Sequence, residues 1–190
     1  MSFLIRDATP EDNESIRRVQ AESWLAAYPN DEVGISHDWI RGITDTWLTP
    51  EALTASEQRM VGQVSDPDGI NIVALSDDEI IGFSSATRRH PAHGDADIFA
   101  IYLRPDMFGT GAGQALMTET LNLIGDTYVR LDVASYNGRA IRFYKRNGFN
   151  IVPNSEQLYP TGPNGKIPPL IIGKNAIPTI DMIRHKIHSA

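Results

Sequence analysis

The chain has 190 residues, of which 41% are hydrophobic and 22% charged, a balance that suits one globular domain, residues 1–190, with a substantial core. No apolar run reaches membrane-spanning length and no basic-then-hydrophobic leader opens the chain, while the lack of cysteine excludes disulfides, thiolate metal sites and a cysteine nucleophile; a cytoplasmic protein is expected. The net charge of −7 is unevenly held: residues 1–100 carry 7 Lys/Arg against 18 Asp/Glu, and residues 101–190 carry 10 against 6. The second part attracts a polyanion, whereas the acidic part either suits a cationic partner such as an amine or simply keeps the surface solvated. A pI near 5.1 argues against nucleic acid.

Phe3 to Arg6 reads as a short strand. Thr9 is placed to cap a helix with Pro10 at its first position, and Ile16, Val19, Ser23, Trp24 and Ala27 trace one face of that helix up to Pro29. Residues 30–49 read as loop plus a short helix carrying Trp39, Ile40, Ile43 and Trp47 at helical spacing, and Thr49-Pro50-Glu51 starts another helix reaching about Gln63. After the turn Asp66-Pro67-Asp68-Gly69, the strands Ile70 to Leu75 and Glu79 to Thr87 form a hairpin across Ser76-Asp77-Asp78. Gly82 inside the second strand marks a bulge or a close backbone approach. In the loop Arg88 to Asp95, His90 and His93 raise the question of a metal, but no carboxylate or thiolate set beside them completes a site, so exposed loop histidines and no metal are expected.

Asp97 to Leu103 is an apolar strand, followed by a turn from Arg104 to Met107 and by Gly109, Gly111 and Gly113 at alternate positions. A helix follows, with Ala115, Leu116, Leu121, Leu123 and Ile124 on its apolar face. Strand, glycine loop and helix together aim backbone N–H groups and a helix N-terminus at an anion, and the missing Cβ atoms let a phosphate approach. A dinucleotide fingerprint has different spacing and starts at the strand end; here five residues intervene, although Asp132 lies 19 residues beyond Gly113, where a ribose-binding acid can stand. A purely structural glycine turn is the remaining alternative. Beyond the loop, Val129, Leu131 and Val133 alternate as a strand, Phe149 to Val152 forms another, and Ile180 to Ile187 a last one. From Leu158 to Pro178 eight residues are Gly or Pro, an irregular stretch long enough to suggest a lid or an oligomer contact.

Phe108-Gly109-Thr110-Gly111-Ala112-Gly113 resembles the pyrophosphate motif of the GNAT acetyltransferase superfamily, with Phe108 where that family commonly has Gln or Arg. Asn137 to Phe149, NGRAIRFYKRNGF, resembles its next motif at Asn137, Ala140, Tyr144, Gly148 and Phe149. The resemblance implies a three-layer α/β fold whose mixed, mostly antiparallel sheet of seven strands splays between the fourth and fifth. It also implies transfer of an acetyl group from acetyl-CoA to a primary amine of a small molecule or peptide, by direct attack in a ternary complex. Ile101 and Leu103 would pair their backbones with the pantetheine arm, Leu103 N–H would polarise the thioester carbonyl, and residues 109–114 (Gly109, Thr110, Gly111, Ala112, Gly113, Gln114) would hold the pyrophosphate. Asn137 would bond the arm from the other side.

Tyr144, two helical turns beyond Asn137, is the candidate acid for the departing thiolate, with a packed aromatic as its alternative. Asp97 stands where relatives carry a base acting through water, or is a surface acid. Trp24 and Tyr28, in SWLAAY, are candidates for the acceptor pocket or for simple packing. A non-catalytic acyl-CoA sensor, with Tyr144 only packing, is the alternative function. Dimers are frequent in the superfamily, so a homodimer is admitted, with no nucleic acid or membrane as partner.

Overall fold

A computed structural model describes residues 3–158 and 177–185. Strand β1 (Leu4–Asp7) leads into a 3-10 turn at Pro10–Asp12 before helix α1 (Asn13–Ala27). The helix therefore starts three residues later than the Thr9-Pro10 signal predicts. The cause is Asp12: Arg6 of β1 grips both its carboxylate oxygens at 2.6 and 2.8 Å, and Thr9 N–H donates to it at 2.8 Å, so the first turn is tied to the strand.

Helix α2 (His37–Thr46) is capped by Ser36, whose hydroxyl accepts from Trp39 N–H, and helix α3 (Pro50–Val64) by Thr49, which accepts from Ala52 N–H. Strands β2 (Gly69–Ser76) and β3 (Glu79–Thr87) follow as the expected hairpin. Its turn is one residue tighter than predicted: Ser76 pairs with Glu79, leaving only Asp77 and Asp78, both at positive φ, which short polar side chains tolerate. Gly82 carries both properties read from it. The β2–β3 register slips between Ala74 and Leu75, and a Cβ at Gly82 would lie 2.8 Å from the Tyr102 carbonyl.

Strand β4 (Ala96–Leu103), helix α4 (Ala112–Ile124), strand β5 (Val129–Ala134), helix α5 (Gly138–Arg146) and strands β6 (Phe149–Ile151), β7 (Gln157–Leu158) and β8 (Pro178–Arg184) complete the chain. The sheet runs β1-β2-β3-β4-β5-β8-β6 with β7 beside β8. Among the described residues it has eight strands rather than seven because of the two-residue β7, and five α-helices because the segment after α1 holds two. Every pairing among them is antiparallel except β4 with β5. Strand β8 slots between β5 and β6, so the last strand in sequence is internal and carries Met182 fully buried. The stretch read as a Gly/Pro-rich loop and the end of the last predicted strand fall largely outside the described residues.

Helix α4 covers one face through Leu116, Met117 and Ile124 against Ile72, Ile81, Leu131 and Phe149, with α5 leaning on the same cluster. Helices α1 and α3 cover the other face, where Val19 and Met60 meet Val73, Leu75 and Phe83. A third cluster gathers Trp24, Ile35, Ile40 and Ile43 beside the end of β5. Helices on both faces of one sheet make the three layers the sequence leads one to expect. No described helix is long and apolar enough to cross a membrane.

Candidate active site

Strands β4 and β5 are joined by two residue pairs only, Ala96 with Val129 and Asp97 with Arg130. Beyond them the strands part, and a cleft of about 370 Å³ opens between β4, α4, β5 and α5. The free edge of β4 is polar. Arg104 N–H donates to Ile81 of β3 at 2.8 Å, and because N–H directions alternate along a strand, those of Leu103 and Ile101 turn toward the cleft. Both residues line it.

At one end lies the glycine loop. Gly109 and Gly111 adopt φ of +80° and +98°, the left-handed region where a side chain is strained. Gly113 serves differently, since a Cβ there would sit 3.0 Å from the Leu103 side chain. Gly111 is the N-cap of α4 and brings no side-chain cap, so the opening amides of a 13-residue helix face the loop. Phe108, Gly109, Gly111, Gly113 and Gln114 line the cleft; Ala112 is buried beneath it, and the Thr110 hydroxyl donates back to Met107. Gln114 and Asn147 exchange side-chain hydrogen bonds at 2.7 and 3.3 Å, joining the start of α4 to the end of α5. Arg139 stacks 3.8 Å above the Phe108 ring, so a cation occupies the neighbourhood of a motif position that lacks a donor of its own.

Helix α5 supplies the opposite wall. Asn137 caps it, accepting from Ala140 N–H at 3.1 Å, so its carbonyl oxygen is committed and its amide nitrogen is the group left for a ligand. Asn137, Ala140 and Tyr144 share one helix face on the cleft, as their spacing predicts. The Tyr144 ring is held edge-on by Phe143 and Phe149, at 5.5 and 5.9 Å between centroids. Burial, with Tyr102 and Asp132 nearby, pushes its phenol well above the ordinary tyrosine value, so it is protonated across the neutral range.

On the α1 side, Tyr28 lines the cleft and its hydroxyl lies 3.1 Å from that of Tyr102. Trp24 does not reach the main cleft. It packs edge-on against Tyr28 and Trp47 and borders a smaller chamber of about 50 Å³, which shares Tyr28, Phe99, Tyr102, Asp132 and Val133 with the cleft.

Asp97 stands at the last rung before the splay rather than on the cleft wall. It bonds His93 Nε2 at 3.2 Å, and burial pushes its carboxyl up against the opposing pull of His90 and His93. The expectation that nothing completes a set around the two histidines is corrected here: β4 begins three residues after His93, and that turn brings the Asp97 carboxylate to both rings, the three offering ligand atoms within 4.8 Å of one another. Both Nδ1 atoms accept backbone N–H groups, from Ala92 and Asp95, which leaves each neutral ring's proton on Nε2.

The sequence reading gave Asp132 no part in such a cleft. It lies on the cleft floor, open to solvent through the mouth, with its carboxyl pushed up by burial and then by Asp181 and Asp97. The alternation of Val129, Leu131 and Val133 carries the signal that was available: those residues face the core, so Asp132 faces away from it.

Residues 14–149 match the family model described as the acetyltransferase (GNAT) family. The chain belongs to this family. Among relatives of the GNAT chain, an uncharacterised N-acetyltransferase of Mycobacterium tuberculosis is 34% identical over 99 residues, which are 50% of this chain and 62% of that protein. A spermidine N(1)-acetyltransferase of Thermoplasma acidophilum is 26% identical over 159 residues, 80% of this chain and 90% of that one. Among solved structures, the PaiA N-acetyltransferase of Thermoplasma acidophilum in complex with coenzyme A superposes with a TM-score of 0.65 at 22% identity, covering 97% of this chain and 99% of the other.

Proposed function

We propose that this GNAT protein is an N-acetyltransferase that moves the acetyl group of acetyl-CoA to a primary amine in a ternary complex. The observation that carries the proposal is the break between β4 and β5: it leaves N–H groups of a sheet edge facing a cleft that runs from a glycine-capped helix start to a protonated, buried phenol.

In this reading the pantetheine arm takes the place of the missing strand and pairs with Ile101 and Leu103. The amides from Gly109 to Gln114 bind the diphosphate, with Arg139 beside them and Asn137 bonding the arm from α5. The acceptor enters past Tyr28 as an ammonium and loses one proton, through water, to Asp97, which His93 supports. The neutral nitrogen attacks the thioester carbon while Leu103 N–H bonds the carbonyl oxygen as it gains charge. The new C–N bond forms, the C–S bond breaks, and the departing sulfur takes the Tyr144 proton. The second proton of the attacking nitrogen leaves as the amide forms and restores Tyr144, so the products are the acetylated amine, the free thiol of coenzyme A and one proton in solution.

The test is calorimetric titration of acetyl-CoA followed by thiol release over a panel of amines. Binding together with amine-dependent release supports the proposal. Binding without release identifies a sensor instead, and the absence of binding removes both readings.

A further inference from the structure

In the small chamber beside the main cleft the Tyr28 and Tyr102 hydroxyls bond each other, but Asp132 and Thr179 have no side-chain partner among the described residues. Asp132 opens onto both spaces, and among the described residues no lysine or arginine pairs with it. Its neighbour across the sheet is Asp181, directly opposite on β8, a like-charge pairing that a strand ladder disfavours. A second, independent observation lies on the far wall. Thr179 is 3% exposed, and its hydroxyl oxygen is buried without any hydrogen-bond partner. A buried hydroxyl left unpaired is costly unless something absent from the chain itself completes it.

The remaining walls are the aromatic residues Trp24, Tyr28, Phe99 and Tyr102 together with Val133, Ala134 and Ile177. Carboxylate, orphan hydroxyl and aromatic rings together make a receptor for an ammonium group, since the carboxylate supplies charge, the hydroxyl accepts an N–H and the rings offer their negative faces. A chamber of about 50 Å³ has room for roughly three waters, the size of an ammonium with a methylene or two.

We propose that the acceptor is a small diamine: one nitrogen stays in the main cleft to receive the acetyl group, and the other, as an ammonium, enters the side chamber against Asp132 and the Thr179 hydroxyl. This rests on the acetyl-transfer reading above and deepens it. A cation in the chamber also offsets the repulsion that Asp181 and Asp97 exert on Asp132. The acidic excess of residues 1–100 acts in the same direction, raising the local concentration of dications.

The experiment compares linear α,ω-diamines with n-alkyl monoamines of equal length by acetyl-CoA-dependent thiol release, in the wild-type chain and in Asp132→Asn and Thr179→Val, with acetyl-CoA calorimetry on each. For the best-fitting length the wild type should favour the diamine by about tenfold or more in kcat/KM, mostly through KM, as a charge-assisted hydrogen bond supplies. Asp132→Asn should bring that ratio close to one. Equal use of monoamines and diamines by the wild type overturns the subsite while leaving acetyl transfer standing, and an undiminished ratio in Asp132→Asn overturns it too. If Asp132→Asn turns over nothing, Thr179→Val decides: a lowered ratio supports the subsite and an unchanged one overturns it. Coenzyme binding with no amine turned over by the wild type overturns both proposals.

Discussion

Replacing Tyr144 with Phe removes one oxygen and leaves the ring. Among the described residues the phenol makes no hydrogen bond, whereas the ring is fixed by Phe143 and Phe149 on either side. Stability should therefore change by no more than about 0.5 kcal/mol. Acetyl-CoA affinity should also hold, because the proposed diphosphate and arm contacts come from β4, the glycine loop and Asn137. Turnover is different. A positioned proton donor contributes about 10²–10⁴ in rate, or roughly 3–5 kcal/mol of barrier. Since burial raises the Tyr144 phenol above its ordinary value, its loss by ionisation cannot shape the rate at neutral pH. The substitution should thus lower kcat by about that factor at every pH from 6 to 9, without introducing a new ionisation. The assay is thiol release at saturating amine, read beside calorimetric binding and a thermal midpoint. Undiminished kcat in a folded, coenzyme-binding variant would refute the acid assignment, and a large drop in thermal midpoint would refute the claim that the hydroxyl has no structural partner.

Three further outcomes follow from contacts elsewhere. Gly82→Ala pushes a methyl into the Tyr102 carbonyl, a backbone atom that cannot step aside, and should lower stability by about 1–3 kcal/mol in chemical denaturation while weakening turnover through the displaced Leu103 amide. Asp12 is held below the usual carboxylate value chiefly by its hydrogen bond from Arg6, so its stabilisation is present above pH 3.8 and is lost as pH falls through the lowered folded value. Asp12→Asn should be less stable than wild type by about 1–3 kcal/mol at pH 7, with the gap in thermal midpoint closing only below about pH 4. Asp132 has the opposite sign. Its folded value is raised, so its charge opposes folding at pH 7, and the native state takes up a proton before the unfolded chain does as pH falls. Asp132→Asn should therefore melt higher than wild type at pH 7, with the advantage shrinking toward pH 3.8; an advantage that grew on acidification would refute the sign.

The fold was legible where local chemistry and long-range packing agree. The Thr49 cap, the Gly82 irregularity, the glycine loop and the Asn137–Tyr144 spacing all lie in short windows of sequence, and each stands where its pattern puts it. What escaped was set by partners far away in the chain. The late start of α1 depends on Arg6 reaching from β1, and Asp132 gains its surroundings only when β8 inserts beside β5 and sets Asp181 opposite. Asp97 reads as a lone acid at a strand start until the preceding turn folds both histidines against it. Trp24, marked as a candidate for the acceptor pocket or for simple packing, is nearly buried against Tyr28 and Trp47 and borders the small chamber rather than the cleft.

With a single parallel pairing of two rungs, the sheet is two stacks of strands, β1 to β4 and β5, β8 and β6, meeting along a short weld. Beyond that weld the facing edges of β4 and β5 leave backbone amides unpaired within the sheet, the kind of edge to which an extended chain can add. If acetyl-CoA binds there as proposed, it bridges the two stacks, and the thermal midpoint should rise with its concentration by simple mass action.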